Sequence, residues 1–374
     1  MIEPDQDNLV LNWRRISGTK HSDAAKEKLR SSLPSLTEPL SSVTQKSSPP
    51  PGGTLHDFWS IGPYWWPDPA KPGGLPFIRR DGEYNPDYDS NRYDRARLHH
   101  FAKDVFNFAL AGAILPDQRF ADRAAAMLCA WFVEPGTRMN PNMLFAQSIP
   151  GVCSGRGIGL IDSKVLINVA EAALIARRSG TINAANWAKI VSWYRAFLEW
   201  MLTHPYGINE RNEHNNHGTW CDAQLAAFAL FTGQPDIAYE VLGAVGKRRI
   251  EPHIAADGRQ PHELSRTRSF TYSCFNLEGL FALAWMGRHV GVDLWSYRTA
   301  AGASLQTAID FLAPYAKASQ SWSFPELPAP AGEIDARGRL YPLLLQAAAA
   351  FGSAKYSVFA AMCPAVVEDS ISLY

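Results

Sequence analysis

The chain reads as all-α: an (α/α) toroid, an incomplete barrel of about six to seven helical hairpins, with a long irregular aromatic loop on its N-terminal side. Three observations predict this. From Tyr93 onward apolar residues recur at helical spacing, as in Phe101, Val105 and Phe108 or Leu166, Val169 and Ala173. Successive runs are separated by short turns, which makes consecutive helices antiparallel neighbours. Strand-like runs are scarce and short, and no internal repeat is evident, so the architecture follows from counting elements.

Taken in order, residues 1–20 are polar and extended, and 21–32 form a short amphipathic helix. The stretch 31–53 is rich in Ser and Pro and ends in Pro49-Pro50-Pro51-Gly52-Gly53. It is a loop and not a domain linker, because too little chain precedes it to fold alone. The expected division is therefore 1–54, an extension packed on the toroid, and 55–374, the toroid itself. Residues 55–86 are irregular yet carry Phe58, Trp59, Tyr64, Trp65, Trp66, Phe77 and Tyr84. Such a loop is ordered only by packing on something, and loops of this length tend to be functional. Helices are then predicted over 95–115 and 117–133, where Pro116-Asp117 marks a start, and over 162–179 and 184–202. Further pairs are 219–232 with 235–245, 274–287 with 300–316, and 341–351 with 354–362. Loops rich in Gly, Pro and polar residues span 134–159 and 319–338.

Composition excludes several classes. The 374 residues are 46% hydrophobic and 19% charged, enough for a large core. Lys+Arg and Asp+Glu are equal at 36 each, so no global basic field exists to hold a polyanion. Nucleic acid is not an expected partner, and an anionic substrate must be met by local arginines. Twelve Trp and thirteen Tyr offer ring faces that suit sugars, beside their use in the core. Cys129, Cys153, Cys221, Cys274 and Cys363 are scattered, odd in number and without metal-like spacing, and are expected as buried thiols. No apolar run is long enough to span a membrane. The opening Met1-Ile-Glu-Pro-Asp is unlike a secretory leader. The expectation is a secreted or periplasmic protein whose leader is not part of this sequence, with a cytoplasmic location as the alternative.

Two polar stretches carry the chemistry. The first, 212–220, reads Asn-Glu-His-Asn-Asn-His-Gly-Thr-Trp; the second, 263–272, reads Glu-Leu-Ser-Arg-Thr-Arg-Ser-Phe-Thr-Tyr. Each stands at the mouth of an apolar helix, where side chains meet solvent. Asn215 and Asn216 are good N-cap residues, and a helix N-terminus disfavours an imidazolium, so His217 is expected to be neutral. Arg266 and Arg268 precede Tyr272; two guanidinium groups nearby favour a phenolate and make the tyrosine a plausible base. Each stretch also has a purely structural reading: Asn215, Asn216 and His217 as caps, and the arginines paired with acids while Tyr272 packs. The set nonetheless suits one reaction. In a 1,4-linked uronate the C5 proton becomes acidic once the neighbouring carboxylate is neutralised, and Asn, His and Arg can stabilise the enolate-like dianion that develops. In β-linked mannuronate or glucuronate the C5 hydrogen and O4 share a face, so one phenol can be base and then acid. No metal or other cofactor is required.

The motifs Tyr64-Trp65-Trp66-Pro67-Asp68-Pro69, Gly74-Leu75-Pro76-Phe77 and Arg80-Asp81-Gly82-Glu83 resemble those of the alginate lyase superfamily. So do Gln147-Ser148-Ile149-Pro150-Gly151 with Gly155-Arg156-Gly157, Asn215-Asn216-His217-Gly218-Thr219-Trp220, and Glu263-Leu264-Ser265-Arg266-Thr267-Arg268 with Tyr272. They occur in the right order over about residues 55–290, and the branch holding the Trp-Trp-Pro-Asp-Pro loop is most similar. The resemblance implies an (α/α) toroid and β-elimination of polyuronates, mannuronan or glucuronan. It also implies Tyr272 as base and acid, with His217, Asn216 and Arg266 on the carboxylate and Arg268 structural. Trp65 and Trp66 are expected to stack on sugar rings or to anchor the loop. Tyr64 and Arg80 are expected to close over the cleft, and Gln147 and Arg156 to meet a neighbouring uronate. Trp220 and Glu263 lie in the matching blocks and are counted with the substrate-binding set. His99 and His100 are expected to be structural.

The predicted partner is thus an acidic polysaccharide. A glycoside hydrolase of the same fold, with Glu210 and Asp222 as its carboxylates, and a non-catalytic binder of acidic glycans are the competing readings.

Overall fold

In the computed structural model, which describes residues 8–11, 21–317, 319–328 and 336–363, the long helices fall into an inner and an outer set. The inner helices are α2 (Arg95–Ile114), α4 (Leu166–Arg178), α7 (Asn216–Phe231), α10 (Ser269–Gly287) and α12 (Ala336–Phe351). Each packs on the next in that order. The outer set is α3 (Gln118–Phe132), α5 (Ala184–Thr203), α8 (Pro235–Val245), α11 (Leu305–Leu312) and α13 (Ala354–Ala360). Helix α3 covers α2 and α4, α5 lies on α3 and α7, α8 on α7 and α10, and α11 on α10 and α12. This is the (α/α) toroid. Among the described residues it has five inner–outer pairs, fewer than the six to seven expected.

The sorting follows from the side chains. In α7 every residue but His217 is buried, and in α10 nearly all are. A helix apolar on all sides has to be surrounded, so these two go inside. By contrast α3 and α11 bury one face each. Caps set several starts: Asp117 accepts from the Arg119 amide at 3.1 Å, and Asn183 from the Asn186 amide at 2.8 Å.

Some boundaries differ from expectation. The helix expected at 300–316 begins only at Leu305, because Ser304 and Thr307 form a capping box after Gly302, whose φ is +92°. The one expected at 162–179 begins with a 3₁₀ stretch, Gly157–Val165. Helix α6 (Pro205–Asn212) lies between the helices expected at 184–202 and 219–232, where none was expected; Pro205 opens it and His204 Nδ1 caps the Tyr206 amide at 3.1 Å. Short α9 (Pro261–Leu264) is likewise additional. Helix α10 begins at Ser269, five residues early, which puts Tyr272 in its first turn.

The N-terminal side packs on this frame. Helix α1 (Asp23–Ser31) is capped by Ser22, and Leu9, Leu11, Leu29 and Val43 join the main core cluster. Lys46 forms a buried ion pair with Asp94 at 2.9 Å, and Asp94 also holds Arg97 at 2.6 Å and the Trp59 amide at 2.9 Å. The aromatic loop gains order from short strands: β1 (Trp59–Ile61) runs parallel to β4 (Phe145–Ser148), and β2 (Trp65–Trp66) antiparallel to β3 (Ile78–Arg79). The five cysteines are free thiols, with Cys221 and Cys274 buried. No described helix is long and apolar enough to cross a membrane.

Candidate active site

All five inner helices send their N-terminal ends toward one cleft of about 800 Å³. Helix α2 contributes Arg95 and His99, α7 Asn216 and His217, α10 Tyr272 and Phe275, and α12 Arg339; Lys164 comes from the turn leading into α4. Helix N-termini carry partial positive charge, so the frame itself favours an anion there. The lining adds seven cationic side chains against three carboxylates, Asp89, Asp162 and Glu213. A chain of zero net charge thus concentrates positive charge where its inner helices meet.

The first polar stretch is built as follows. Asn215 caps α7 by accepting from the His217 amide at 2.9 Å. Asn216, also expected as a cap, does something else: its amide and side chain donate to the buried Glu263 at 2.6 and 2.8 Å. That bidentate hold fixes the Asn216 side chain at the cleft wall. Gly218 follows because a Cβ there would sit 2.0 Å from the Glu213 carbonyl oxygen and 2.5 Å from Arg249.

His217 corrects an expectation. Its Nδ1 pairs with Glu210 at 2.9 Å, and Glu210 is wholly buried. Burial alone would depress the imidazole, but the adjacent Glu210 carboxylate overrides it and holds the pKa above its ordinary value. The helix N-terminus was expected to keep His217 neutral; the buried carboxylate wins because it is in direct contact. Nδ1 is committed to Glu210, which leaves Nε2 for the cleft.

Tyr272 corrects a second expectation. Its hydroxyl lies 2.7 Å from that of Tyr64, and the Arg266 guanidinium stacks 3.9 Å from its ring centre. Burial nonetheless pushes the phenol up, and the opposing pull of Arg266 does not cancel it. Tyr272 is therefore a phenol, not a ready phenolate.

A third group closes the other wall. Buried Asp162 accepts from Ser60 at 2.6 Å, Tyr88 at 3.1 Å and Gln147 at 3.2 Å. Gln147 is a non-glycine residue at φ +47°, a strained conformation of the kind that persists where surrounding bonds enforce it. Its carbonyl and side-chain oxygens accept from Arg156 at 3.1 and 2.9 Å, and Arg156 lies 6.0 Å from the Trp65 ring centre.

Eight of the twelve residues singled out in the sequence therefore line the cleft: Tyr272, His217, Asn216, Arg266, Tyr64, Trp65, Gln147 and Arg156. Four do not. Trp66 and Arg80 pair with each other at 5.2 Å on the hairpin, with Trp66 Nε1 donating to the Glu83 carbonyl. Trp220 donates to the Phe275 carbonyl at 3.0 Å from behind the wall, and Glu263 is the support for Asn216. Arg268 and His99, expected to be structural, do line it. Burial, then Arg95 and Lys164, hold the His99 pKa far below its usual value, so it is a neutral imidazole. Glu210 and Asp222 are not a hydrolytic pair: neither lines the cleft, and Asp222 is bound by Arg249 at 2.7 Å and Arg211 at 3.1 Å. Sequence reasoning missed Arg95, Asp162, Lys164 and Arg339. Arg95 opens the first long helix, a usable signal; Lys164 sits inside an apolar run and carries none.

A toroid of helices around a cation-lined cleft, with a phenol and a histidine both in its lining, defines the class: this is a polysaccharide lyase. The chain belongs to the alginate lyase family, whose model matches residues 42–322. It is similar in structure to an alginate lyase from Bacteroides ovatus, at 29% identity over 97% of each chain with a TM-score of 0.91. It shares its fold with alginate lyase A1-III from Sphingomonas species A1, at 15% identity over 90% of this chain and 88% of that one, TM-score 0.54. No curated protein matches the chain.

Proposed function

We propose that the protein cleaves a β-1,4-linked polyuronate, mannuronan of alginate or glucuronan, by syn β-elimination without a metal. The observation that carries this reading is the single cleft shared by Tyr272, His217, Asn216 and Arg266. The substrate carboxylate sits against Asn216, His217 Nε2 and Arg266, whose donors offset the charge that builds as the C5–H bond breaks. As the phenolate, Tyr272 takes the C5 proton and returns it to O4 as the glycosidic bond breaks, which regenerates the phenolate and leaves a 4,5-unsaturated uronate. Arg266 against the Tyr272 ring stabilises the phenolate, and Tyr64 hydrogen-bonds its oxygen. The similarity to the Bacteroides alginate lyase supports alginate as the first substrate to assay.

The test is the ultraviolet absorbance of the unsaturated product with mannuronan and glucuronan side by side. Tyr272→Phe should lose at least about a hundredfold in kcat while still binding polymer, the usual scale for removing an acid–base group. Turnover in that variant close to wild type would refute the assignment of the base. Saturated reducing ends in place of the chromophore would mark a hydrolase.

A further inference from the structure

We propose that Lys164 and Arg339, on the cleft wall beside α10, form a second carboxylate subsite that takes the acid group of the uronate next to the one being deprotonated. This rests on the polyuronate reading given above. Phe275 follows Tyr272 on the same face of α10, three residues or about 4.5 Å along the axis, a length comparable to one sugar ring. The Lys164 ammonium lies 4.8 Å from the ring centre of Trp220 and 5.0 Å from that of Phe275. Both rings lend it cation–π support, and both are apolar surroundings for a charge. Among the described residues Lys164 makes neither a hydrogen bond nor an ion pair, and its side chain is half-buried in the cleft wall. The one acid close by is Glu278, one turn beyond Phe275, and its nearest cation is Arg339 at 3.8 Å. Two cations facing one carboxylate leave a net positive charge at a concave, aromatic-floored position.

The surrounding groups agree. From α2 Arg95 and His99 face the same spot, from α12 Arg339, and from α10 Glu278. Burial, with Arg339 and Arg95 beside it, pushes Lys164 down to about 8 against the pull of Glu278. A bound carboxylate would give the half-buried amine the charged partner it lacks among the described residues. Trp220, one of the sequence motif's residues, then acts from behind the wall by shaping the seat of Lys164, without contact to sugar.

The experiment compares wild type with Lys164→Met, which keeps an unbranched stem between the two rings, and with Arg339→Gln. Each is assayed on β-1,4-mannuronate and β-1,4-glucuronate oligomers and on the same oligomers with carboxyls partly reduced to alcohols. Thermal melting checks that both variants fold. On the acidic oligomers KM should rise about tenfold or more in each variant, with a much smaller change in kcat, the scale of one lost charge-assisted contact. On oligomers whose flanking carboxyl is reduced, wild type and variants should converge. In wild type KM should climb as pH rises through about 8, and in Lys164→Met that climb should vanish. Unchanged KM in both folded variants, or an equal rise on the reduced oligomers, overturns the subsite alone. A wild type that forms no unsaturated product from either polymer overturns the function beneath it, and the subsite with it.

Discussion

His217 and Glu210 set the chemistry of the site at the scale of single residues. Seven positions apart, they meet because α6 ends and α7 begins between them, and the buried carboxylate then holds the imidazole above its ordinary pKa. Tyr272 is moved the other way for catalysis: burial keeps it a phenol. In the proposed mechanism the competent form is an imidazolium with a phenolate. Below the His217 pKa the phenolate fraction grows with pH, so the rate climbs; above it, loss of the imidazolium cancels that gain and the rate levels off. Replacing Glu210 by Gln removes the cause of the raised pKa. The break should move to lower pH, and the plateau should fall about ten- to hundredfold, as expected for a lost charge-assisted bond. A pH–rate profile of Glu210→Gln with its break in the wild-type place would show that Glu210 does not govern His217.

Among the elements, α4 ties the frame together. Glu171, buried in its middle, accepts from the Val10 and Leu11 amides at 2.5 and 3.2 Å and so fastens the N-terminal segment to the toroid. Burial pushes this carboxyl up to about 7 from 4.5, against those hydrogen bonds. A raised folded-state pKa stabilises below the unfolded value and is lost as pH rises through the folded one. At about 1.36 kcal/mol per pH unit, the loss between pH 4.5 and pH 7 is on the order of 3 kcal/mol. Melting temperature should therefore drop across that window, and Glu171→Gln, which keeps an acceptor and cannot ionise, should flatten the drop. A variant with the wild-type pH dependence of melting would locate the titrating group elsewhere.

For the whole molecule the decisive feature is where charge is placed. The 36 cationic and 36 acidic side chains balance, yet the cleft lining holds seven of one and three of the other. The converging helix N-termini add to the excess. A grip on a polyanion built this way is local and screened by salt. Raising ionic strength from about 0.05 M to about 0.5 M should raise KM for the polymer several-fold and leave kcat nearly constant. A KM indifferent to salt would mean that the cationic lining does not recruit substrate.

The helical class, the pairing of long helices and the two polar stretches at helix mouths were legible in the chain because each is a local pattern. An apolar period, a cap, or a motif such as Asn215-Asn216-His217 occupies neighbouring residues, and short-range sterics and hydrogen bonding read it directly. Tertiary structure alone decided which of those residues face the same space. Tyr64 meets Tyr272 across 208 positions, Ser60 meets Asp162 across 102, and Glu263 supports Asn216 across 47. No local preference encodes such pairings, so the sequence showed Trp66, Arg80 and Trp220 as equals of Trp65 and Tyr64, and left Lys164 and Arg339 unnoticed. The pKa directions were out of reach for the same reason. They depend on burial and on one charged neighbour, and both exist only once distant segments have been packed around the common cleft.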